Sequence, residues 1–141
     1  MERTTKPHLV LIPWQGGISH IIPMTDIGCL LASHGAAVTI ITTPANAPLV
    51  QSRVDSAAPP PCGGAGITVA AIPFPAAEAG LPEGCERLDL LRSPADVPRF
   101  FAANKRFGEA VERHCRGGGG GASLLPCRPT CIVAGMCHPW T

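Results

Sequence analysis

The chain has 141 residues, of which 45% are hydrophobic and 15% charged, and its formal net charge is +1 at pH 7. This length suits one domain of ordinary size. A near-zero net charge without an acidic or basic run excludes the usual footprint of a nucleic-acid-binding protein, so we expect no nucleic-acid partner. No apolar run reaches the roughly 18 residues that a membrane-spanning helix needs, and we expect no membrane span.

The cysteines bear on the cellular compartment and on metal binding. Seven cysteines are scattered along the chain, and the amino-terminal segment MERTTKPH is polar, unlike a signal peptide. Scattered thiols of odd number are typical of a reducing compartment, so we expect a cytoplasmic protein. Cys127, Cys131, Cys137 and His138 have atom types that bind zinc, but their spacing is not that of a familiar zinc site. We therefore predict reduced thiols and no metal.

The first half of the chain predicts alternating strands and helices. Residues 1–7 are expected to be a disordered lead-in to a first strand at His8–Pro13, an apolar run short enough to be a buried strand. A first helix is predicted from about Ile22 to His34, with Pro23 in its first turn, where the missing N–H costs little. Ala37–Thr42 is β-branched and apolar, as expected of a second buried strand.

The second half continues the alternation. A short helix is predicted to end near Val54, and residues 55–66 read as a flexible loop by composition. Ile67–Ile72 is predicted as a third strand, residues 95–116 as a longer helix and Cys131–Ala134 as a fourth strand. The apolar residues of the longer helix fall close to one face, and at least two of its three Phe side chains are expected to be core.

This alternation favours an α/β fold with a parallel, Rossmann-like sheet in the strand order 3-2-1-4. The sheet is not expected to bind a dinucleotide. The G-x-G-x-x-G fingerprint is missing after the first strand, where only Gly16 and Gly17 occur. No G-x-x-x-x-G-K-[ST] phosphate loop occurs anywhere in the chain. We therefore predict no bound nucleotide cofactor.

His20 is the residue with the clearest chemical potential. It follows the glycine-bearing loop after the first strand, at the strand-to-helix turn where open α/β sheets bind ligands. Because histidine titrates near neutral pH, an imidazole there can act as a general base. From spacing alone, a capping or packing histidine remains the alternative.

A pocket for a flat ligand is expected beside His20, because large planar side chains fall on the loops and helix near the same edge. A rim over it is expected from the segment between Glu78 and Glu86, and Asp89 is expected to lie on the surface. The candidate pocket residues are Trp14, Gln15, Phe74, Phe100, His138 and Trp140.

Three segments of the chain resemble the plant family-1 UDP-sugar-dependent glycosyltransferases, and they occur in the order that the family has. They are HLVLIPWQGGISHIIPMTDIGCLLASHGAAVTIITTPANA, IPFPAAEAGLPEGCE and CIVAGMCHPWT. The resemblance implies a Rossmann-like acceptor-binding domain over residues 8–141, from an enzyme with two domains of GT-B type. It also implies that the chain ends partway through that domain and that the donor-binding carboxyl-terminal domain is absent.

The same resemblance implies a reaction. A sugar passes from UDP-sugar to a hydroxyl of a small plant metabolite, such as a flavonoid or another phenolic, with inversion at the sugar and His20 as general base. The family usually adds an Asp after the fourth strand to orient that His, and Gly135 stands at the matching position. UDP-sugar is then a substrate that requires the carboxyl-terminal domain. Two alternatives stay open for this chain: a non-catalytic small-molecule-binding or interaction fragment, and a truncated product without function.

Overall fold

A four-stranded parallel sheet forms the centre of the fold in a computed structural model, which describes residues 6–57, 66–116 and 129–135. The strands pair in the order β3-β2-β1-β4, and all three pairings are parallel. The predicted α/β class and the predicted strand order are therefore confirmed. The strands are β1 (His8–Ile12), β2 (Ala37–Thr42), β3 (Ile67–Ala71) and β4 (Cys131–Ala134).

Three helices and three short 3-10 turns connect these strands within the described residues. Among those residues, no helix is both long and apolar enough to cross a membrane. The helices are α1 (Ile18–Ser33), α2 (Ala47–Ser56) and α3 (Val97–Arg116). The 3-10 turns are Ala77–Ala79, Leu88–Leu90 and Pro94–Asp96, and they divide the long connection between β3 and α3.

Helix α1 begins earlier than the sequence pattern predicts. The carbonyl of Gly17 accepts hydrogen bonds from the backbone N–H groups of His20 and Ile21, which starts the helix at Ile18. Pro23 therefore lies in the second turn rather than the first, at the cost of one backbone hydrogen bond. His20 lies inside the first turn of α1 and not ahead of the helix.

Two other boundaries differ from the prediction. The carbonyl of Pro7 accepts a hydrogen bond from the backbone N–H of Ala37 at 2.9 Å, so Pro7 joins the sheet instead of a disordered lead-in. Helix α2 continues to Ser56, where a loop was predicted. Residues 1–5 of the predicted lead-in and residues 58–65 of the predicted loop lie outside the described part of the chain.

Helices cover both faces of the sheet, and the side chains of β1 point alternately to one face and to the other. Val10 and Ile12 point to the face covered by α3, whereas Leu11 points to the face covered by α1 and α2. All three side chains are fully buried. This pattern is expected of a central parallel strand, which has helices on both faces of its sheet.

Helix α3 buries one narrow stripe. Phe100, Phe107 and Val111 are fully or almost fully buried against the sheet. Val97 and Phe101 are 37% and 45% exposed, because they lie at the margin of the stripe. The prediction that at least two of the Phe side chains are core is confirmed.

Candidate functional site

The carboxyl ends of the four parallel strands lie at one edge of the sheet. At β1 the chain reverses the direction in which it adds strands to the sheet. The connection from β1 leads to β2 on one side, while β4 pairs with β1 on the other. The backbone N–H of Gly135 donates to the carbonyl of Ile12 at 3.0 Å and joins the ends of these two strands. Ligands of open α/β sheets bind at such a switch point.

Trp14 lies at this switch point, at the start of the loop after β1. Its indole packs edge-on against Phe100 and nearly parallel to Phe101, with ring centroids 5.8 Å apart in both pairs. A Cβ at Gly16 would overlap the Trp14 indole, so glycine is required for the ring to fold back over the loop. The partly exposed Phe101 therefore extends an aromatic surface that begins at the buried Trp14.

His20 lies at the edge that the sequence predicts. Its side chain is exposed in the first turn of α1, and Gly17 provides the amino-terminal cap of that helix without a side chain. Because side chains of a helix lean toward its amino terminus, the imidazole leans toward the loop after β1. An exposed imidazole at this edge of the sheet can accept a proton from a bound hydroxyl.

Gly135 leaves no room for a side chain. A Cβ there would lie 2.8 Å from Cβ and 2.9 Å from the backbone nitrogen of Trp14. The close atoms belong to the backbone and the first side-chain carbon, which cannot swing away. An acid at this position would therefore require the loop after β1 to move.

Asp89 approaches the amino terminus of α1 and was not expected at the site. One carboxylate oxygen, Oδ2, lies 3.2 Å from the position that a Cβ of Gly17 would take. The other oxygen, Oδ1, accepts a hydrogen bond from Nε of Arg87 at 3.0 Å. A negative charge at a helix amino terminus is favourable, and Asp89 supplies it where Gly17 offers no capping side chain. Sequence spacing gave no signal of this contact, because Asp89 and Gly17 are far apart along the chain and come together only in the folded protein.

Two side-chain amides are buried, that of Gln15 in the loop after β1 and that of Asn104 on α3. Gln15 and Asn104 are 1% and 3% exposed, and their side-chain oxygens have no hydrogen-bond partner among the described residues. The backbone carbonyl of Gln15 accepts a hydrogen bond from the N–H of Leu88 at 2.8 Å. Gln15, a predicted pocket residue, thus holds the turn that carries Asp89, with its side chain directed away from solvent.

Two of the predicted pocket aromatics lie in the core. Phe74 is buried, and its ring packs against Phe100 and Phe107 at centroid distances of 5.4 Å and 5.8 Å. Phe100 is fully buried, and its ring packs against the indole of Trp14. The predicted residues His138 and Trp140 lie outside the described part of the chain.

Glu86 anchors the segment that was expected to form a rim. Its carboxylate Oε1 is buried and accepts a hydrogen bond from the backbone N–H of Ala45 at 2.9 Å, just ahead of α2. The side-chain amide of Asn46 donates to the carbonyl of Glu86 at 3.1 Å. This end of the rim segment is attached to the amino terminus of α2.

The described thiols are free. Burial raises the pKa of Cys29, Cys85 and Cys115 above its ordinary value, and nearby carboxylates add to the shift at Cys29 and Cys85. Cys131 is exposed on β4. Within the part of the chain that the structure describes, no three His, Cys, Asp or Glu side chains are grouped so as to hold a metal ion. The other residues of the considered zinc set lie outside that part.

Comparison with known proteins gives a consistent result, although no family model matches the chain. UDP-glycosyltransferase 73C1 from Arabidopsis thaliana is 40% identical over 134 residues, which cover 95% of this chain and 25% of the relative. Scopoletin glucosyltransferase from Nicotiana tabacum is 38% identical over 122 residues, which cover 86% of this chain and 23% of the relative. UDP-glucose flavonoid 3-O-glucosyltransferase 7 from Fragaria ananassa is 34% identical over 137 residues, with coverages of 94% and 24%.

Solved structures agree. The fold matches Glycyrrhiza uralensis UGT73P12, complexed with glycyrrhetinic acid 3-O-monoglucuronide, with a TM-score of 0.68 and 30% identity, over 92% of this chain and 24% of that one. It matches Arabidopsis thaliana UGT89C1, complexed with UDP, with a TM-score of 0.71 and 25% identity, over 96% and 30%. This chain spans about a quarter of the length of the curated relatives it matches. The chain is thus a homologue of the plant UDP-glycosyltransferases and shares the fold of the part to which it corresponds.

Proposed function

We propose that this protein takes part in the transfer of a sugar from UDP-sugar to a hydroxyl of a small plant metabolite, with His20 as general base. The observation that supports this most is an exposed histidine at the switch point of the sheet, in a chain that is 40% identical over 134 residues to a UDP-glycosyltransferase. Two relatives are named for scopoletin and a flavonoid, which are phenolic acceptors. We therefore propose a phenolic acceptor here.

His20 would act on the acceptor hydroxyl. A hydroxyl is a weak nucleophile until its proton is removed, and a positioned base contributes about 10²–10⁴ in rate. The imidazole takes the proton while the oxygen attacks the anomeric carbon of the sugar. The bond between that carbon and UDP breaks, UDP leaves with the bonding electrons, and attack from the opposite face inverts the configuration.

The aromatic surface of Trp14 and Phe101 supports a flat acceptor. Their rings lie within 28° of parallel, and Phe101 is 45% exposed. Aromatic rings pack favourably when they are offset or edge-on. A phenolic ring placed against Phe101 would gain such a contact while its hydroxyl reaches toward His20.

The donor is proposed to bind elsewhere. Phosphates bind readily at helix amino termini, but the terminus of α1 is already approached by the carboxylate of Asp89. Like charges would repel each other there. We propose that UDP-sugar is held mainly by a separate donor-binding domain, as a substrate and without a cofactor. The free thiols of the described residues support a reducing, cytoplasmic location.

A second candidate function is acceptor binding without transfer. Gly135 favours it, because the packing of Trp14 against this glycine leaves no space for an acid that would orient His20. Under this hypothesis the protein binds a phenolic compound but releases no UDP.

The test is formation of a glucoside from UDP-glucose and a panel of phenolic acceptors, followed by mass spectrometry. We expect product from the natural protein and from His34→Ala, which alters an exposed histidine at the other end of α1. His20→Ala should form at least about 100-fold less product. Equal product from His20→Ala and His34→Ala would contradict the assignment of the base. Acceptor binding without any product from the natural protein would support the second candidate.

A further inference from the structure

Asp89 lies at the end of α1 that contains His20. Its Oδ2 is 3.2 Å from the position of a Cβ on Gly17, and Gly17 directly precedes the first turn of the helix. The backbone N–H of His20 donates to the carbonyl of Gly17 at 3.0 Å, so both residues lie in the same turn at the start of the helix. The carboxylate of Asp89 and the imidazole of His20 therefore lie within the span of one small aromatic molecule.

Two hydrogen bonds hold Asp89 at this place. The N–H of Leu88 donates to the carbonyl of Gln15 at 2.8 Å, which ties the Leu88–Leu90 turn to the loop after β1. Arg87 donates to Oδ1 of Asp89 at 3.0 Å and holds the carboxylate in one orientation. The side chain of Asp89 is 43% exposed, so its carboxylate is open in part to solvent.

We propose that Asp89 determines which acceptor binds, an inference that rests on the function proposed above. Its Oδ2 accepts a hydrogen bond from a second hydroxyl of a polyhydroxylated phenol, while the first hydroxyl of that phenol lies at His20. An ionised carboxylate only accepts hydrogen bonds, and bonds to it are stronger than those between neutral groups. The site therefore favours acceptors with two hydroxyls and disfavours acceptors that carry a carboxylate.

Two coumarins that differ by one hydroxyl test this proposal. Umbelliferone has one hydroxyl and esculetin has two, and their affinities are measured by calorimetric titration without UDP-sugar. We expect the natural protein to bind esculetin about tenfold more tightly, as one hydrogen bond to a charged group allows. Asp89→Asn should reduce this preference to about twofold or less. Asp55→Asn, which removes an exposed charge from α2, should keep the full preference.

Three results would overturn the proposal: equal affinities in the natural protein, a preference for esculetin that survives Asp89→Asn, or no binding of either coumarin. Melting curves show whether each variant folds, and Asp89→Ser gives the same readout if the Asn variant does not fold. Since the titration contains no donor, its result is separate from the test of sugar transfer. Asp89-dependent selectivity without transfer would refute only the proposed function, and transfer without that selectivity would refute only this inference.

Discussion

Gly135 shows how one residue determines the shape of the site. Its Cα packs so closely on Trp14 that any Cβ would lie within 3 Å of the Trp14 backbone. Trp14 in turn covers Gly16 and contacts Phe100 on α3. The two glycines and the tryptophan therefore act together, and the aromatic surface of Trp14 and Phe101 depends on both small residues.

Substitution of Gly135 by Ala should destabilise the protein. The added methyl forces Trp14 or β4 to move, and such overpacking costs about 1–3 kcal/mol. The measurement is the free energy of unfolding from denaturant titration. Cys131→Ala, at the exposed start of the same strand, is the control and should change this free energy little. A Gly135→Ala protein as stable as the control would show that Trp14 does not pack here as described.

Glu86 belongs to a segment that the sequence assigns to a rim, yet its carboxylate is buried and bound to the N–H of Ala45. Glu86→Gln keeps the shape but weakens this charge-assisted hydrogen bond. We expect a loss of about 1–2 kcal/mol in the free energy of unfolding. Glu83→Gln, on the exposed part of the same segment, should lose less than about 0.5 kcal/mol. Equal effects of the two variants would contradict the anchoring role.

At the scale of elements, α1 and α2 are joined by one ion pair. Arg53 donates two hydrogen bonds to the carboxylate of Asp26, at 2.6 Å and 2.8 Å. The hydrogen bond from Arg53 holds the pKa of Asp26 below its ordinary value of 3.8, although slight desolvation opposes the shift. Because the pKa is lowered in the folded state, the stabilisation is present above pH 3.8 and is lost as the pH falls through the lowered value. Both side chains are exposed, so the effect is small.

This ion pair predicts a pH dependence for one variant. Asp26→Asn should melt slightly below the natural protein at pH 7, and the difference should disappear once the pH falls below the lowered pKa of Asp26. Thermal melting across a pH series measures it. Asp55→Asn, at an exposed position on α2, is the control. A difference in melting temperature that grows toward acid would contradict the assigned sign.

Helix α3 has a buried side, which includes Phe107, and an exposed margin with Phe101, which we propose contacts the acceptor. Phe107→Ala removes a fully buried ring and should cost about 3–5 kcal/mol in the free energy of unfolding. Phe101→Ala removes a ring that is 45% exposed, so it should cost much less and instead weaken binding of a phenolic acceptor. Denaturant titration and calorimetric binding measure the two effects. Unimpaired acceptor binding by Phe101→Ala would remove Phe101 from the proposed acceptor surface.

At the scale of the whole molecule, the sequence predicts the architecture because each strand is apolar and each helix has a distinct periodic face. The strand order follows from this alternation and from the handedness of parallel crossovers. The start of α1 was missed because Pro23 suggested a first turn, whereas the carbonyl of Gly17 starts the helix earlier. Periodicity alone says little about how deep a ring lies, so Phe74 and Phe100 were assigned to a pocket when they pack in the core.

The site was predictable only in part. The position of His20 follows from the order of strand, loop and helix along the chain. The contact of Asp89 with Gly17 and that of Trp14 with Gly135 join segments that are distant in sequence. Neither leaves a local pattern, because each depends on how a loop settles against a helix or strand after folding. Trp14 and Gly135 were named from the sequence, but the contacts that shape the site were visible only in the structure.

The central claim is that His20 removes the proton of an acceptor hydroxyl during sugar transfer. The most direct measurement is the release of UDP from UDP-glucose, with and without umbelliferone, by the natural protein and by His20→Gln. We predict UDP release that depends on umbelliferone and falls at least about 100-fold in His20→Gln. Acceptor-dependent release that is undiminished in His20→Gln, or no acceptor-dependent release by the natural protein, would contradict the account.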